Sequence, residues 1–394
     1  MRLTIPSRDA SRRAVQAALL LCCILLFSCS PALQQARTPQ ALSTAACLPG
    51  FPDRDGWYGG DGAYSIRLDE RRVLWLFGDT FVADQAGRKD RMGMKVVLGT
   101  TMAISTCTAG AGFQIRYFLK KRNGEFVSAF GDGDWLWPQD PFIVDRTLYV
   151  PLVSIKANPD VQGPFKFEIA GHKIARIRNI EAAHPDEWTV DYLDLTPAIP
   201  KGVVAFATTA FVYGDHIYTY PCFAFTDGLS SVFGNILARI PVNRLDDPAS
   251  AIEYLTREGQ WVNALNPATV KIVLDAGVSE LSVRYHADRR KWIAVYLSTK
   301  NNGDRLLYQA ADRPEGPWTE PRALIEPIPE VDPKSPLYDQ NNFCYAGKEH
   351  IEFAHDGTLV ATYVCNSFED PERDSSFIRK NLFLYRPVVR SLKH

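Results

Sequence analysis

The stretch Trp57–Val82, WYGGDGAYSIRLDERRVLWLFGDTFV, contains two runs of β-forming residues on either side of a polar turn. Apolar and polar residues alternate in the first run, and the second is rich in branched and aromatic side chains, as expected of paired strands. Asp69 lies in the turn, where aspartate is favoured because its side chain hydrogen bonds to nearby backbone groups. The stretch therefore predicts a β-hairpin.

Four later segments repeat the order strand, aspartate-containing turn and strand: PFIVDRTLYVPLV, AFVYGDHIYTYPC, SVRYHADRRKWIAVYL and IEFAHDGTLVATYV. The five turn aspartates are Asp69, Asp145, Asp215, Asp288 and Asp356, spaced 68 to 76 residues apart. Several short strands per period, with few amphipathic helical stretches, predict an all-β fold, a five-bladed β-propeller. Two unrelated β-sandwiches with similar hairpin spacing are the alternative. We interpret the turn aspartates as turn formers.

Residues 1–28 are predicted to be a lipoprotein signal peptide. Four arginines precede the run AVQAALLLCCILLF, which is too short for a comfortable membrane span. The run ends in LFSCS, which resembles the cleavage box of bacterial lipoproteins and makes Cys29 the lipidated residue; ordinary secretion is the alternative. Residues 29–46 read as a flexible tether, and residues 47–394 as the propeller domain. We expect an exported lipoprotein, anchored in a bacterial membrane at the outer membrane or cell surface.

Export makes disulfide bonds available to the cysteines of the folded domain. There are five of them, so one thiol is expected to stay free: Cys47, Cys107, Cys222, Cys344 and Cys365. Cys344 and Cys365 flank one predicted hairpin and are the preferred pair, although spacing alone does not fix the connectivity.

The composition, 46% apolar and 23% charged residues with a formal net charge of −1, predicts a folded domain, taken to be a monomer. It shows no excess of basic residues of the kind that nucleic-acid-binding proteins have. There is no G-x-S-x-G elbow, Walker loop, H-E-x-x-H or CxxC pair, which argues against serine hydrolase, nucleotide and zinc chemistry.

In a propeller, residues that enter the first strand of each blade meet at one rim. Those residues are Asp61, Asp140, Thr209, Glu280 and His350, and Asp79 adds an acid where the second strand of the first hairpin ends. Clustered carboxylates raise one another's pKa, so one can stay protonated beside an ionised neighbour. Glycoside hydrolysis needs that division between acid and base or nucleophile. The structural alternatives are turn formation for Asp61 and Asp79 and strand initiation for Asp140.

The stretch GGDGAYSIRLDERRVLWLFGDTFV resembles the opening blade of bacterial domain-of-unknown-function family 4185, part of which is classed as glycoside hydrolase family 183, acting on D-arabinan. The resemblance extends through WPQDPFIV, SELSVRYH and KEHIEF…VATYVCNS. It implies a fold similar to the five-bladed propeller enzymes that cleave arabinofuranosides and fructosides. It also implies that Asp61 and Asp79 are the central carboxylate pair, with Asp140 and Glu280 as further pocket acids.

Aromatic and amide side chains near the predicted rim are candidates for binding sugar rings and hydroxyls: Trp57, Tyr58, Trp135, Trp137, Tyr345, Asn341 and Asn342. The alternatives are core packing for the aromatic residues and turn formation for the asparagines. The resemblance implies a histidine beneath a central ion, often calcium. His350 is therefore a candidate ligand of a structural calcium ion in the central channel. The alternative is that it is a core histidine. We expect that the protein requires no cofactor.

These features predict an exported glycoside hydrolase that acts on a furanose-containing, arabinan-like polysaccharide or oligosaccharide. The alternative is a non-catalytic surface lipoprotein that binds glycan or holds partner proteins.

Overall fold

The computed structural model describes residues 47–393, except residues 109, 162–165, 226–231, 356 and 372. The predicted signal peptide, Cys29, the tether and Asp356 lie outside the described residues, so those predictions stay untested. The described part is all-β, with antiparallel sheets throughout. It contains one short α-helix, Phe377–Lys380, and five 3₁₀ helices, Pro185–Glu187, Val242–Arg244, Pro248–Ala251, Pro329–Val331 and Ile351–Phe353. No helix in this part is long and apolar enough to cross a membrane.

The opening stretch folds as the predicted hairpin. Asp69 closes its turn, because the Asp69 Oδ1 atom accepts hydrogen bonds from the backbone amides of Arg71 (2.9 Å) and Arg72 (2.8 Å). Interrupted strands divide this segment into the sheets β1-β4-β5, β2-β3-β6-β7 and β8-β9. Its strands are β1 (Trp57–Gly60), β2 (Tyr64–Arg67), β3 (Arg72–Phe77), β4 (Thr80–Val82), β5 (Lys95–Val97), β6 (Thr101–Thr108), β7 (Gly112–Phe118), β8 (Lys121–Arg122) and β9 (Glu125–Phe126).

The next two segments form three sheets. One sheet has the order β10-β12-β13-β14, with β11 also paired to β12; the others run β15-β18-β19-β23 and β16-β17-β20-β21-β22. The strands are β10 (Trp135–Pro138), β11 (Phe142–Val144), β12 (Thr147–Ala157), β13 (Phe167–Arg178), β14 (Thr189–Asp194), β15 (Val203–Ala205), β16 (Ala210–Tyr213), β17 (His216–Thr219), β18 (Cys222–Ala224), β19 (Phe233–Ile236), β20 (Ala238–Pro241), β21 (Glu253–Leu255), β22 (Trp261–Val262) and β23 (Ile272–Leu274).

The last two segments form one sheet each, with the orders β24-β25-β26-β27 and β28-β29-β30. Their strands are β24 (Ser282–His286), β25 (Lys291–Leu297), β26 (Leu306–Ala311), β27 (Arg322–Ile325), β28 (Asn342–Glu349), β29 (Thr358–Ser367) and β30 (Val388–Lys393). Four predicted hairpins are therefore confirmed as antiparallel pairs, β2–β3, β11–β12, β16–β17 and β24–β25. The fifth is corrected in its first strand: Ile351–Phe353 forms a 3₁₀ helix, and the strand that pairs with β29 is β28, which ends at Glu349.

The five segments contact one another in a cyclic order. β11 contacts β16, β16 contacts β24, and β24 contacts β28. The 3₁₀ helix Ile351–Phe353, which follows β28, contacts β2, and β3 contacts β10. A propeller requires this order of contacts. No sheet closes on itself among the described residues, and the count of five blades stays a prediction.

Two disulfide bonds crosslink the described domain, Cys47–Cys107 and Cys344–Cys365. The second joins directly opposed residues of β28 and β29, which confirms the preferred pair. Cys222 is buried and is the free cysteine, so the expectation of one unpaired thiol is also confirmed.

Candidate active site

Asp61 and Asp79 lie side by side because β1 and β4 are antiparallel neighbours. Asp61 follows β1 directly, and Asp79 directly precedes β4. The Asp61 amide donates to the Asp79 carbonyl oxygen (3.0 Å), and the Gly78 amide donates to the Asp61 carbonyl oxygen (2.7 Å). The negative charge of Asp79 also acts on the Asp61 carboxyl. The fold thus brings together the two carboxylates that the sequence singled out.

Asp79 is a buried carboxylate held by three N–H donors. Its Oδ1 atom accepts from the backbone amide of Gly99 (2.7 Å) and from the indoles of Trp135 and Trp137 (2.9 Å each). Burial raises the pKa of Asp79 to about 6, against the opposing effect of these hydrogen bonds. Its Oδ2 atom has no hydrogen-bond partner among the described residues. Asp79 is therefore ionised at neutral pH. Hydrogen bonds fix its Oδ1 atom, and its Oδ2 atom is left to contact a ligand.

Asp61 is half-buried, and its electrostatic surroundings differ from those of Asp79. Its Oδ1 atom is buried without a hydrogen-bond partner among the described residues. Burial raises the pKa of Asp61 to about 8; the charges of Glu280 and Asp79 add to the shift, and a hydrogen bond with Tyr345 and the charge of Lys348 oppose it. Asp61 therefore keeps its proton at neutral pH, beside an ionised Asp79.

Glu280 is tied to a buried lysine. The Lys348 Nζ atom lies 2.8 Å from Glu280 Oε1 and 3.6 Å from the centre of the Tyr64 ring, and Lys348 is 2% exposed. Gly62, which follows Asp61, leaves room for this pair, since a Cβ atom there would lie 2.8 Å from Glu280 Oε1. The negative charge of Glu280 therefore disfavours ionisation of Asp61.

Replacing Glu280 with Gln is expected to lower the pKa of Asp61 by about 1 pH unit or more, because a like charge close to a carboxyl disfavours its ionisation. The unpaired Lys348 ammonium would act in the same direction. The measurement is the pH titration of the Asp61 carboxyl carbon by ¹³C NMR, assigned with Asp61→Asn. Glu258→Gln, at an exposed position, is the control, and an unchanged Asp61 titration in Glu280→Gln would contradict the prediction.

Asp140 is buried, and both of its carboxylate oxygens accept hydrogen bonds. Its Oδ1 atom accepts from Arg284 (2.8 Å), and its Oδ2 atom accepts from the Thr209 hydroxyl (2.9 Å) and the Ala210 amide (2.7 Å). These contacts connect the start of the second segment, two residues before β11, to β16 and β24. In this arrangement Asp140 joins neighbouring segments, and its role as a pocket acid stays a prediction.

Trp137 and Trp135 lie beside Asp79. Both residues are partly exposed and lie on the same face of β10, two residues apart. The Phe167 ring packs against both, with centroids 4.8 Å from Trp137 and 5.8 Å from Trp135. This aromatic cluster forms a wall next to Asp79. Tyr345, on β28, is half-buried beside Asp61. Sugar binding by Trp137 and Tyr345 stays a prediction.

Trp57 and Tyr58 do not face the site. Trp57 is 0% exposed and stacks on Tyr117 at 4.6 Å, and Tyr58 is 1% exposed, with its hydroxyl donating to the Gln85 carbonyl oxygen (2.6 Å). Strand β1 is buried on both faces, so neither ring can stack on a sugar. The prediction that these two residues bind substrate is wrong for this reason.

The two asparagines have structural partners. Asn342 is 1% exposed and donates to the carbonyl oxygens of Glu330 (3.0 Å) and Leu337 (3.3 Å), so it is a core residue and not a binder of sugar hydroxyls. Asn341 is half-buried, and its side chain contacts Glu369 at 3.4 Å. A role for Asn341 in binding stays a prediction.

His350 is 1% exposed, and both of its ring nitrogens have hydroxyl partners. Nδ1 lies 2.8 Å from Ser65 Oγ, and Nε2 lies 2.8 Å from Thr362 Oγ1. Burial lowers the pKa of His350 well below its usual range, so the ring is neutral. An ion bound here would have to displace one of these hydroxyls, and the calcium site stays a prediction.

The sequence reading missed Lys348, Arg284 and Tyr385 near the acids. Alternation along a strand would have indicated the first two, because Lys348 lies two residues before His350, and Arg284 lies four residues after Glu280. Tyr385 lies in a loop before β30 and gave no periodic signal.

Comparisons with other proteins give a family and a fold. The profile of the family described as "Domain of unknown function (DUF5005)" matches residues 51–392. No protein with curated annotation matches the chain. A Bacteroides ovatus protein of known structure, provisionally described as a hydrolase, has a TM-score of 0.63 at 16% identity, covering 91% of this chain and 96% of that one.

Two further solved structures align less closely. CoXyl43, a GH43 beta-xylosidase/alpha-arabinofuranosidase from a compost microbial metagenome, has a TM-score of 0.44 at 14% identity, covering 88% of this chain and 96% of that one. The GH43_1 enzyme from Xanthomonas citri has a TM-score of 0.40 at 13% identity, with coverages of 81% and 85%. The Bacteroides ovatus likeness shows a shared fold only, and the other two TM-scores are too low to support an argument. The resemblance to families 4185 and 183 is not confirmed by these matches. Because the family profile spans nearly the whole described domain, the chain belongs to the DUF5005 family.

Proposed function

We propose that this protein is a glycoside hydrolase that uses Asp61 as the proton donor and Asp79 as the base or nucleophile. The observation that carries the proposal is the placement of two acids at adjacent strand ends in different surroundings: three N–H donors hold Asp79 Oδ1, whereas Asp61 Oδ1 is buried without a partner among the described residues. Burial accordingly raises the pKa of Asp61 to about 8 and that of Asp79 to about 6. A pair of neighbouring titratable groups whose environments push their pKa values apart is typical of acid–base chemistry.

The reaction follows from the two environments. Asp61 protonates the glycosidic oxygen as the bond to the anomeric carbon breaks, and the Oδ2 atom of Asp79 attacks that carbon or takes a proton from the attacking water. The three donors on Oδ1 fix the orientation of Asp79. The wall of Trp135, Trp137 and Phe167 offers flat apolar surfaces to a sugar ring.

The remaining parts of the proposal rest on other observations. The arabinan-like, furanose-containing substrate rests on the sequence resemblance, and the five-bladed propeller on the five hairpins and their cyclic contacts. Export and lipid anchoring at Cys29, with residence at the outer membrane or cell surface, rest on the N-terminal sequence. We also propose that the protein is a monomer and that a structural calcium ion lies near His350.

We expect kcat/KM to follow a bell-shaped pH profile with limbs near pH 6 and pH 8. Activity should fall below about pH 6, where Asp79 takes up a proton, and above about pH 8, where Asp61 loses its own. The measurement is hydrolysis by the purified mature protein of arabinans, fructans and galactofuranans between pH 4 and 10. Activity that keeps rising above pH 9 would contradict the assignment of Asp61 as the acid. Binding without hydrolysis across the panel would instead favour a glycan-binding protein.

A further inference from the structure

Tyr385 has a left-handed backbone conformation, with φ = +53°. A bulky residue seldom adopts this conformation, which persists only where the surrounding structure enforces it. Such residues cluster at functional sites. The contacts that hold Tyr385 in this conformation therefore bear on whether it has a functional role.

A buried arginine holds the segment that precedes Tyr385. Arg91 is 0% exposed, and its guanidinium donates to five backbone carbonyl oxygens at 2.5 to 3.2 Å, those of Tyr58, Ile378, Asn381, Leu382 and Leu384. Arg379 adds bonds to the carbonyl oxygens of Arg91 and Met94, both at 2.9 Å. The Tyr385 amide donates to the Cys365 carbonyl oxygen (2.8 Å). The loop is therefore fixed from several directions.

This loop places Tyr385 next to both strand ends that carry the acids. Its ring packs edge-on against Phe81 at 5.4 Å, and Phe81 follows Asp79 by two residues. Its carbonyl oxygen closely approaches Gly59, two residues before Asp61, where a Cβ atom would collide with it. Gly59 has a φ of +127°, which also excludes other residues at this position.

The Tyr385 hydroxyl lies within the influence of the acids but has no hydrogen-bond partner among the described residues. Burial and the charges of Asp61 and Asp79 raise its pKa well above the usual range, so it remains a proton-bearing donor at every pH at which the site works. Tyr385 is 7% exposed, and its hydroxyl is not one of the fully buried atoms that lack a partner, so a ligand can reach it. A donor on a ring fixed beside the two acidic strand ends is suitably placed to bind such a ligand.

We propose that Tyr385 is a further substrate-contacting residue, whose hydroxyl donates a hydrogen bond to a hydroxyl oxygen of the sugar bound between Asp61 and Asp79. The inference rests on the proposed function, because it concerns the same site. A purely structural Tyr385 would need only its ring, which packs on Phe81, and the two roles therefore separate at the hydroxyl group.

The test compares Tyr385→Phe with Tyr254→Phe. Both changes remove one hydroxyl and keep the ring, and the Tyr254 hydroxyl is buried in the core without a partner among the described residues. Binding of trisaccharides of arabinofuranose, fructofuranose and galactofuranose is measured by calorimetry in an Asp61→Asn background, so that turnover does not interfere. Thermal unfolding of both variants is recorded beside it.

Tyr385→Phe is expected to weaken binding of the preferred trisaccharide roughly tenfold, in line with the loss of one hydrogen bond, with its unfolding temperature unchanged. Tyr254→Phe should bind as the parent does. Equal affinity in Tyr385→Phe and the parent, or equal weakening in both variants, overturns the inference while the proposed function stands. A parent protein that binds none of the trisaccharides overturns both.

Discussion

Asp79→Asn is expected to lower kcat/KM on the preferred glycan by a factor on the order of 10² or more, the usual effect of removing a positioned base or nucleophile. Asparagine keeps a side-chain oxygen that can accept from Gly99, Trp135 and Trp137, so the local geometry should survive. It replaces the available Oδ2 atom with an amide nitrogen, which can neither attack carbon nor accept a proton from water.

Asp61→Asn should cause a loss of the same order and should also change how stability depends on pH. The folded protein holds a proton on Asp61 that the unfolded chain releases, since the pKa rises from 3.8 to about 8. The contribution of Asp61 protonation to wild-type stability should therefore be fully present below about pH 4 and be lost as pH rises through 8. The Asn variant lacks this component, so its melting temperature should fall less between pH 5 and pH 9.

Steady-state kinetics and thermal melts of the two variants, beside the exposed control Asp312→Asn, measure both effects. Wild-type turnover in both Asn variants would eliminate the carboxylate pair as the catalytic centre. Identical pH dependence of melting in Asp61→Asn and wild type would show that Asp61 is not protonated in the fold. The two readouts are independent, so a protein without activity on the chosen glycans still reports the state of Asp61.

Local sequence was sufficient for four of the five hairpins and for one acidic pair. A hairpin depends on neighbours along the chain, and Asp69 forms its turn with residues two and three positions away. Asp61 and Asp79 meet because one hairpin carries both. The Cys344–Cys365 pair was accessible for the same reason, since both cysteines flank one hairpin.

The environment of each acid could not be predicted, because it depends on contacts between distant segments. The donors that hold Asp79 come from Gly99 and from β10, and the charge opposite Asp61 comes from Glu280 and its partner Lys348. Trp57 was assigned to the site because it is close to Asp61 in sequence, yet a strand buried on both faces directs that ring into the core.

Arg91→Met is expected to reduce the free energy of unfolding by about 3–5 kcal/mol, one of the larger effects that a single substitution can have. The guanidinium satisfies five carbonyl oxygens in a buried position, and each carbonyl left without a donor costs about 1–3 kcal/mol unless water reaches it. Methionine has a similar length but donates no hydrogen bond. Urea denaturation should show a lower midpoint with an unchanged slope.

The same substitution should also weaken the site, because Arg91 holds the loop that keeps Tyr385 in its left-handed conformation. We expect Arg91→Met to reduce glycan binding at temperatures well below its melting point by at least as much as Tyr385→Phe does, since it frees the whole residue rather than one hydroxyl. Arg71→Met, at an exposed turn position, is the matched control and should change stability by no more than about 0.5 kcal/mol. A destabilised Arg91→Met protein that binds glycan with wild-type affinity would separate the loop's structural role from the site and leave the strained tyrosine without a functional reason.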